Sequence, residues 1–254
     1  MTGFLERDLA VVTGAGSGVG RSVATILRSR GVDVVGVDTS PDESLDVSWV
    51  EGDVAANSTW NAVLAACAER ERGATLLVIN AAVVHVGSVL DLGDAEWQHT
   101  LEVNLLGGVR AMRALLPGMQ RLGRGSIVTV ASVDAFMAEQ GLAAYCSSKG
   151  ALLQLARCSA VDFARDGIRV NCVCPGVIDT PFFRRHLATA SDPERFLEVR
   201  KQRNPLGRLL MPEDVAETVV FLLSDASAGT TGAQFTVDAG LTASFDFRTG
   251  DEGA

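Results

Sequence analysis

The sequence predicts a doubly wound α/β domain, a parallel sheet with helices on both faces, and three observations carry that expectation. Apolar runs of strand length alternate with helix-length segments along most of the chain. Those runs are almost continuously apolar, as in strands buried on both faces. The first of them ends in a glycine-rich turn that leads directly into a helical segment, which is the local signature of a βα unit. With 254 residues, 47% of them hydrophobic, the chain can bury one sizeable core, and a single domain over 1–254 is expected.

In chain order, Leu9-Ala-Val-Val-Thr13 is the first strand, and Thr13-Gly-Ala-Gly-Ser-Gly-Val-Gly20 turns into a helix ending near Gly31. A second strand covers 32–38, a third ends near Gly52-Asp53-Val54, a helix covers 57–72, and 76–80 is a fourth apolar run. One long helix is expected from about Asp94 to Met119, then a strand over 126–132 and a helix around Tyr145. Gly167 supplies a stop, and 169–174 resumes the sheet. A charged insertion over 181–205 reads as a lid, a helix starts near Pro212, and 233–240 reads as an edge strand.

The net charge of −9 argues against nonspecific binding to nucleic acid or an anionic membrane. No apolar run reaches the roughly 18 residues needed to span a bilayer, and the first residues carry neither a basic nor a long apolar segment, so a cytoplasmic protein is expected. The cysteines, Cys67, Cys146, Cys158, Cys172 and Cys174, are read as reduced packing residues. Cys172 and Cys174 are expected to point to opposite sheet faces, which disfavours a shared metal, and no metal site is expected.

Two stretches carry chemistry. Tyr145, the only tyrosine, is followed four residues later by Lys149, a spacing that places both on one helical face about one turn apart. A cation there favours the phenolate, moving an ordinary pKa of about 10 toward neutrality, so that Tyr145 can act as a general acid/base. Ser132 ends the preceding strand and places its hydroxyl at the carboxyl end of the sheet. Taken alone, a Tyr-x-x-x-Lys pair is more often a core tyrosine beside a snorkelling lysine. The other stretch is the first turn. Its glycines at 14, 16, 18 and 20 let a pyrophosphate approach a helix N-terminus, where free N–H groups and the dipole favour anions. Asp38, twenty residues after Gly18, ends the second strand where a carboxylate accepts bonds from ribose hydroxyls and repels a 2′-phosphate. With no basic residue at Ser17 or Thr39, NAD is expected over NADP.

The order of these motifs from about Leu9 to Leu241 resembles the short-chain dehydrogenase/reductase family. The resemblance rests on the Thr13–Gly20 turn, Asp53, Asn80, Asn104, Ser132, Tyr145 with Lys149, and Pro175-Gly-Val-Ile-Asp-Thr180-Pro. The family's usual Asn-Asn-Ala-Gly is replaced by Ile79-Asn80-Ala81-Ala82. The resemblance implies a Rossmann-type fold with catalytic Asn104, Ser132, Tyr145 and Lys149. Cofactor contacts are implied from Gly14, Ser17, Gly18, Val19, Gly20, Asp38, Asp53, Val54, Asn80, Tyr145, Lys149, Pro175, Ile178 and Thr180. Tyr145 exchanges a proton with the substrate oxygen, Lys149 tunes it and holds the nicotinamide ribose, and Ser132 bonds the substrate oxygen. Asn104 is expected to hold a water linking Lys149 to solvent, and the plainer reading, a helix asparagine bonded to backbone, is compatible with that role. Thr180 is expected at the carboxamide, and Asp53 and Val54 at the adenine.

The pocket is expected to be lined by His85, Val86, Asp134, Phe136, Met137, Gly176, Phe182 and Phe183, a mainly apolar set suited to a hydrophobic secondary alcohol or ketone. Arg184, Arg185, Arg195, Arg200, Lys201 and Arg203, interleaved with Glu194 and Glu198, read as a solvated helix, with capture of an anionic substrate group as the alternative. The alternative function is a catalytically silent NAD-binding sensor or partner, and a third reading is dehydration or epimerisation. A homotetramer is expected. Leu152, Ala156 and Phe163 form one apolar stripe, and Ala151 with Leu155 extends onto another. The edge strand over 233–240 adds a further surface to cover. The tail from Ser244 to Ala254 lies outside the resemblance and is expected to be disordered.

Overall fold

In a computed structural model, described here for residues 3–4, 8–70, 73–188 and 190–244, seven parallel strands form one sheet in the order β3-β2-β1-β4-β5-β6-β7. They are β1 (Leu9–Thr13), β2 (Asp33–Asp38), β3 (Ser48–Glu51), β4 (Leu76–Ile79), β5 (Gly125–Val130), β6 (Ile168–Pro175) and β7 (Gln234–Val237). The expected tail falls on residues 244–254, of which all but Ser244 lie outside the described residues.

The sheet is buried on both sides, as continuous apolar strands require. Against one face pack α2 (Asn57–Ala68), α4 (Gly107–Leu122) and α5 (Ala143–Phe163), closing a core that includes Val11, Val63, Leu77, Met119, Ile127 and Leu152. Against the other pack α1 (Gly18–Ser29) and α8 (Pro212–Leu223), around Val12, Val23, Leu27, Val78, Val128 and Val219. The strand order reverses between β1 and β4, and a crevice opens there at the carboxyl ends of the strands, where doubly wound sheets take their ligands.

The expected long helical pattern is one run of helical backbone, with α3 (Asp94–Leu101) and α4 continuous through a π turn over Glu102–Leu106 that inserts one residue. Two expectations are corrected. Cys172 and Cys174 share a face, with sulfurs 3.8 Å apart, because the pleat repeats every two residues and residues i and i+2 point the same way. Finally, the chain itself buries one apolar stripe of α5 and part of the other, leaving Ala151 and Leu155 half-buried. Leu152 and Ala156 are buried in the core, and Leu155 and Phe163 pack against it. Val161 of α5 is left outside, 80% exposed, as is Cys158.

The insertion over 181–205 folds into α6 (Pro181–Leu187) and α7 (Pro193–Arg203). Thr180 and Asp192 cap them, accepting from the N–H groups of Phe183 and Arg195, and each helix has a proline in its first turn. No helix among the described residues is long and apolar enough to cross a membrane.

Candidate active site

The crevice is a cleft of about 1030 Å³ running from the β1–α1 turn to the segment after β5 and under α6 and α7. At one end, the turn after β1 is held by Asn80 at the end of β4. Its backbone N–H donates to Thr13 Oγ1 at 2.9 Å, and its amide donates to the carbonyls of Thr13 and Gly14 at 3.1 and 3.3 Å. The structural bond expected of Asn80 is therefore present. The N-terminus of α1 has no side-chain cap and no acidic residue in its first turn, which leaves its N–H groups available to an anion. Asp38 reaches back to the same turn, accepting from Gly16 N–H at 2.9 Å and Ser40 N–H at 3.0 Å.

Gly14, Ser17, Gly18, Val19, Asp38, Asp53, Val54, Asn80, Tyr145, Lys149, Pro175, Ile178 and Thr180 all line the cleft. Gly20 lies behind it, where its lack of a side chain lets α1 approach Gly14. No group of three His, Cys, Asp or Glu suited to a metal occurs among the described residues.

At the other end, β5 and α5 bring Ser132, Tyr145 and Lys149 together at the cleft. Lys149 is 2% exposed; its ammonium donates to the Val130 carbonyl at 2.9 Å and stands 5.6 Å from the centre of the Tyr145 ring. Burial lowers the lysine's pKa to about 8, since a charged group loses hydration in the interior. The phenol shifts opposite to expectation. Burial, and next the carboxylate of Asp134, push Tyr145 above its ordinary pKa, while a hydrogen bond with Ser132 pulls it down. The one-turn spacing is real, but desolvation outweighs the distant ammonium.

Ser132 closes a tight turn with Asp134. Its hydroxyl donates to Asp134 Oδ2 at 3.0 Å, and the Asp134 N–H donates back to Ser132 Oγ at 3.1 Å. Burial and the neighbouring Glu139 raise the Asp134 pKa. Glu139 receives both terminal nitrogens of Arg200 from α7, so an ion pair joins the segment before α5 to the insertion. Arg200 also stacks over the Phe196 ring, with its guanidinium carbon 4.7 Å from the ring centre.

Asn104 sits in the π turn and is 1% exposed. Its amide donates to Val83 O at 2.9 Å and Ser148 Oγ at 3.0 Å and accepts from Val83 N–H at 2.8 Å. The side chain thus anchors the segment after β4 through its backbone. Of the residues expected in the pocket, Val86, Asp134, Met137, Gly176, Phe182 and Phe183 line it, whereas His85 and Phe136 do not. His85 instead makes a hydrogen bond to His99 of α3, with 3.0 Å between ring nitrogens, and His99 is the one that lines the cleft. Phe196 and Glu139 also line it and were missed. Their apolar and acidic characters are ordinary for helix and loop positions, and nothing in their spacing marked them.

With this geometry in view, the comparisons with known proteins are informative. A family model described as enoyl-(acyl carrier protein) reductase matches residues 14–242. The chain belongs to the short-chain dehydrogenase/reductase family. It is 35% identical to 2-(S)-hydroxypropyl-CoM dehydrogenase 3 of Xanthobacter autotrophicus, over 96% of this chain and all of that one. A second relative from the same organism, inactive 2-(S)-hydroxypropyl-CoM dehydrogenase 2, is 42% identical over 75% of this chain and 84% of its own. The ligand-free structure of Thermoplasma acidophilum aldohexose dehydrogenase superposes with a TM-score of 0.91 at 30% identity, covering 96% of this chain and 98% of that one. As a short-chain dehydrogenase/reductase, the chain is an oxidoreductase by family, with the seven-stranded Rossmann-type sheet of its relatives.

Proposed function

We propose that this short-chain dehydrogenase/reductase transfers a hydride between NAD(H) and a secondary alcohol or ketone of hydrophobic character. The observation that carries the reading is one cleft with two functional ends: an uncapped helix N-terminus beside Asp38, and Ser132, Tyr145 and Lys149 about the opposite wall. The residues present fit a dinucleotide. A Cβ at Gly18 would lie 3.2 Å from Thr180 and one at Gly16 only 2.4 Å from Ser40 O, so the turn keeps its backbone bare toward the cleft. The α1 N-terminus would take the pyrophosphate, Asp38 the adenosine ribose, Asp53 and Val54 the adenine, and Lys149 and Thr180 the nicotinamide half.

When bound, the nicotinamide supplies the hydride acceptor or donor. The chain's own groups handle the proton and the position of the substrate. Ser132 and Tyr145 receive the substrate oxygen, and Tyr145 takes its proton in oxidation or returns one in reduction. Phe182, with its ring centre 6.2 Å from that of Tyr145, and Phe183, Met137 and Val86 offer apolar surface beside it. The 181–205 insertion acts as a lid over this end, tied down by the Arg200–Glu139 pair. The position of β7 at the sheet edge, with its residues only partly covered, supports a homotetramer as the assembled form.

The name of one relative, a 2-(S)-hydroxypropyl-CoM dehydrogenase, agrees with a secondary alcohol. The relative named as inactive favours a second reading, a silent NAD-binding protein. A turnover screen of secondary alcohols and ketones with NAD, NADH and their phosphorylated counterparts separates the two. Turnover with NAD supports the proposal, and NADH binding without turnover of any substrate supports the silent reading.

A further inference from the structure

Charges that alternate along the insertion in sequence are separated by the fold. Phe196, Arg200 and Arg203 of α7 follow one another at spacings of four and three, so they share one helical face, and all three line the cleft. The acids interleaved with them, Glu194 and Glu198, are exposed and lie off the cleft, and Glu198 accepts from Gln202 instead. On α6, Arg185 and His186 line the cleft, whereas Arg184 lies off it and donates to Asp179 at 2.8 Å. A helix that is merely solvated has no reason to keep its acids off one face.

The guanidinium groups on that face differ in what they have left to bind. Arg200 gives both terminal nitrogens to Glu139 and stacks over Phe196. Arg185 and Arg203 are exposed at the cleft, and among the described residues neither side chain makes a hydrogen bond or an ion pair. The acids at this end are already engaged, Glu139 by Arg200 and Asp134 by Ser132. Apolar rings occupy the stretch from Tyr145 to α7: the Phe182 ring stands 6.2 Å from that of Tyr145, and the Phe183 ring stands 6.4 Å from that of Phe196.

We infer that Arg185 and Arg203 form an anion subsite at the lid end of the cleft, and that the substrate is a secondary alcohol or ketone carrying an oxyanion, such as a carboxylate, beyond an apolar spacer. This rests on the oxidoreductase reading above and adds a substrate class to it. The reacting carbon lies by Ser132 and Tyr145, and the spacer runs along Phe182, Phe183 and Phe196. The oxyanion meets guanidinium forks whose paired N–H groups match its oxygens. The carboxylate of Asp134, held beside Ser132, repels an anion next to the reacting carbon, so the charge belongs at the far end. Within a chain of net charge −9, unpaired cations at this one mouth also draw an anionic substrate toward the cleft.

The test uses the full chain with NAD and three matched pairs of alcohols: 4-hydroxycyclohexanecarboxylate, 5-hydroxyhexanoate and 7-hydroxyoctanoate, each against its methyl ester, which keeps the spacer and removes the charge. At least one acid should exceed its ester about tenfold in kcat/KM, the size expected of a hydrogen bond to a charged group. That advantage should shrink as salt rises from about 0.01 to about 0.15 M, because screening acts on the acid alone. Arg185→Ser and Arg203→Ser should each lower the acid-to-ester ratio about tenfold, with the loss in KM, and Arg203→Lys should keep part of it. A merely structural role would lower acid and ester together, and that result overturns the inference. Esters that match or exceed the acids in all three pairs overturn it too. So does a fall in NADH affinity with an unchanged ratio, which would give the arginines to the cofactor's pyrophosphate. Failure of the underlying reading looks different: the wild type oxidises neither acid nor ester. The subsite is then decided by calorimetric titration of the NADH-loaded protein with 4-oxocyclohexanecarboxylate, where binding that Arg203→Ser weakens sustains it, and absent or unaltered binding overturns it.

Discussion

Gly20→Ala tests whether the β1–α1 turn is as tightly specified as its contacts imply. A Cβ built on Gly20 would stand 2.1 Å from the Gly14 carbonyl oxygen, 2.7 Å from the Gly14 carbonyl carbon and 2.7 Å from the Asn80 amide nitrogen. Backbone cannot swing aside as the end of a flexible side chain does, so the Gly14 carbonyl would have to retreat by about 1 Å to reach ordinary contact. Its 3.3 Å bond from Asn80 would be lost on the way. Overpacking of this kind costs about 1–3 kcal/mol and the lost hydrogen bond about 1 kcal/mol. A total near 2–4 kcal/mol corresponds to a fall in Tm of roughly 5–15 °C at this chain length. The moved peptide also borders the proposed pyrophosphate site, so NADH affinity should drop at least tenfold, measured by fluorescence titration alongside thermal unfolding. Gly229→Ala is the control: its Cβ would meet nothing within 4 Å, and its Tm should match the wild type or exceed it slightly. A Gly20→Ala protein with wild-type Tm and NADH affinity would refute the steric argument.

Tyr145→Phe should keep NADH binding and lose 10²- to 10⁴-fold in turnover, since it removes the phenolic proton and retains the ring beside Phe182; a steady-state assay showing near wild-type turnover would demand another acid. Asp38→Ala with Thr39→Arg should shift the ratio of kcat/KM values toward NADP. Asp38 also holds the Gly16 and Ser40 N–H groups, so affinity for both cofactors should fall while the ratio moves, and a wild type that uses NAD and NADP equally would remove the basis of the prediction. Light scattering at micromolar concentration should give about four times the chain mass of 26.7 kDa. A fully active single species at the chain mass would exclude the tetramer, and would leave Val161, Leu122 and Phe221, at 80%, 53% and 41% exposure, as ordinary surface residues.

What was legible in the sequence was whatever depends on short-range periodicity. The strand runs, the turn before α1 and the meeting of Tyr145 and Lys149 on one helical face all follow from spacings of two or four residues. The carboxyl-end position of Ser132 follows once the run is recognised as a parallel strand. The π turn was hidden because an inserted residue leaves apolar composition unchanged. The surplus attributed to α5 arose from counting stripes on the helix alone. Leu155 and Phe163 join Leu152 and Ala156 around one core cluster that also draws residues from the sheet, α2 and α4, and no helical wheel contains those neighbours. His85 looked like a pocket residue by position, yet its ring is held by His99, fourteen residues away and on another element.

The electrostatics of the site were the least legible part, and the reason is physical. A spacing of four predicts the distance between an ammonium and a phenol, and from that distance a downward shift of the phenol. The sign that emerges is set by a competition the spacing does not contain: the loss of water around Tyr145 and the carboxylate of Asp134, set against an ammonium that is itself buried and turned to Val130 O. Lys149 shows the same competition from the other side, its pKa drawn down to about 8 by burial. The Ser132 hydroxyl holds that carboxylate beside the phenol, and it does so only two residues from the serine, a separation at which sequence patterns of helix and strand carry no information about direction.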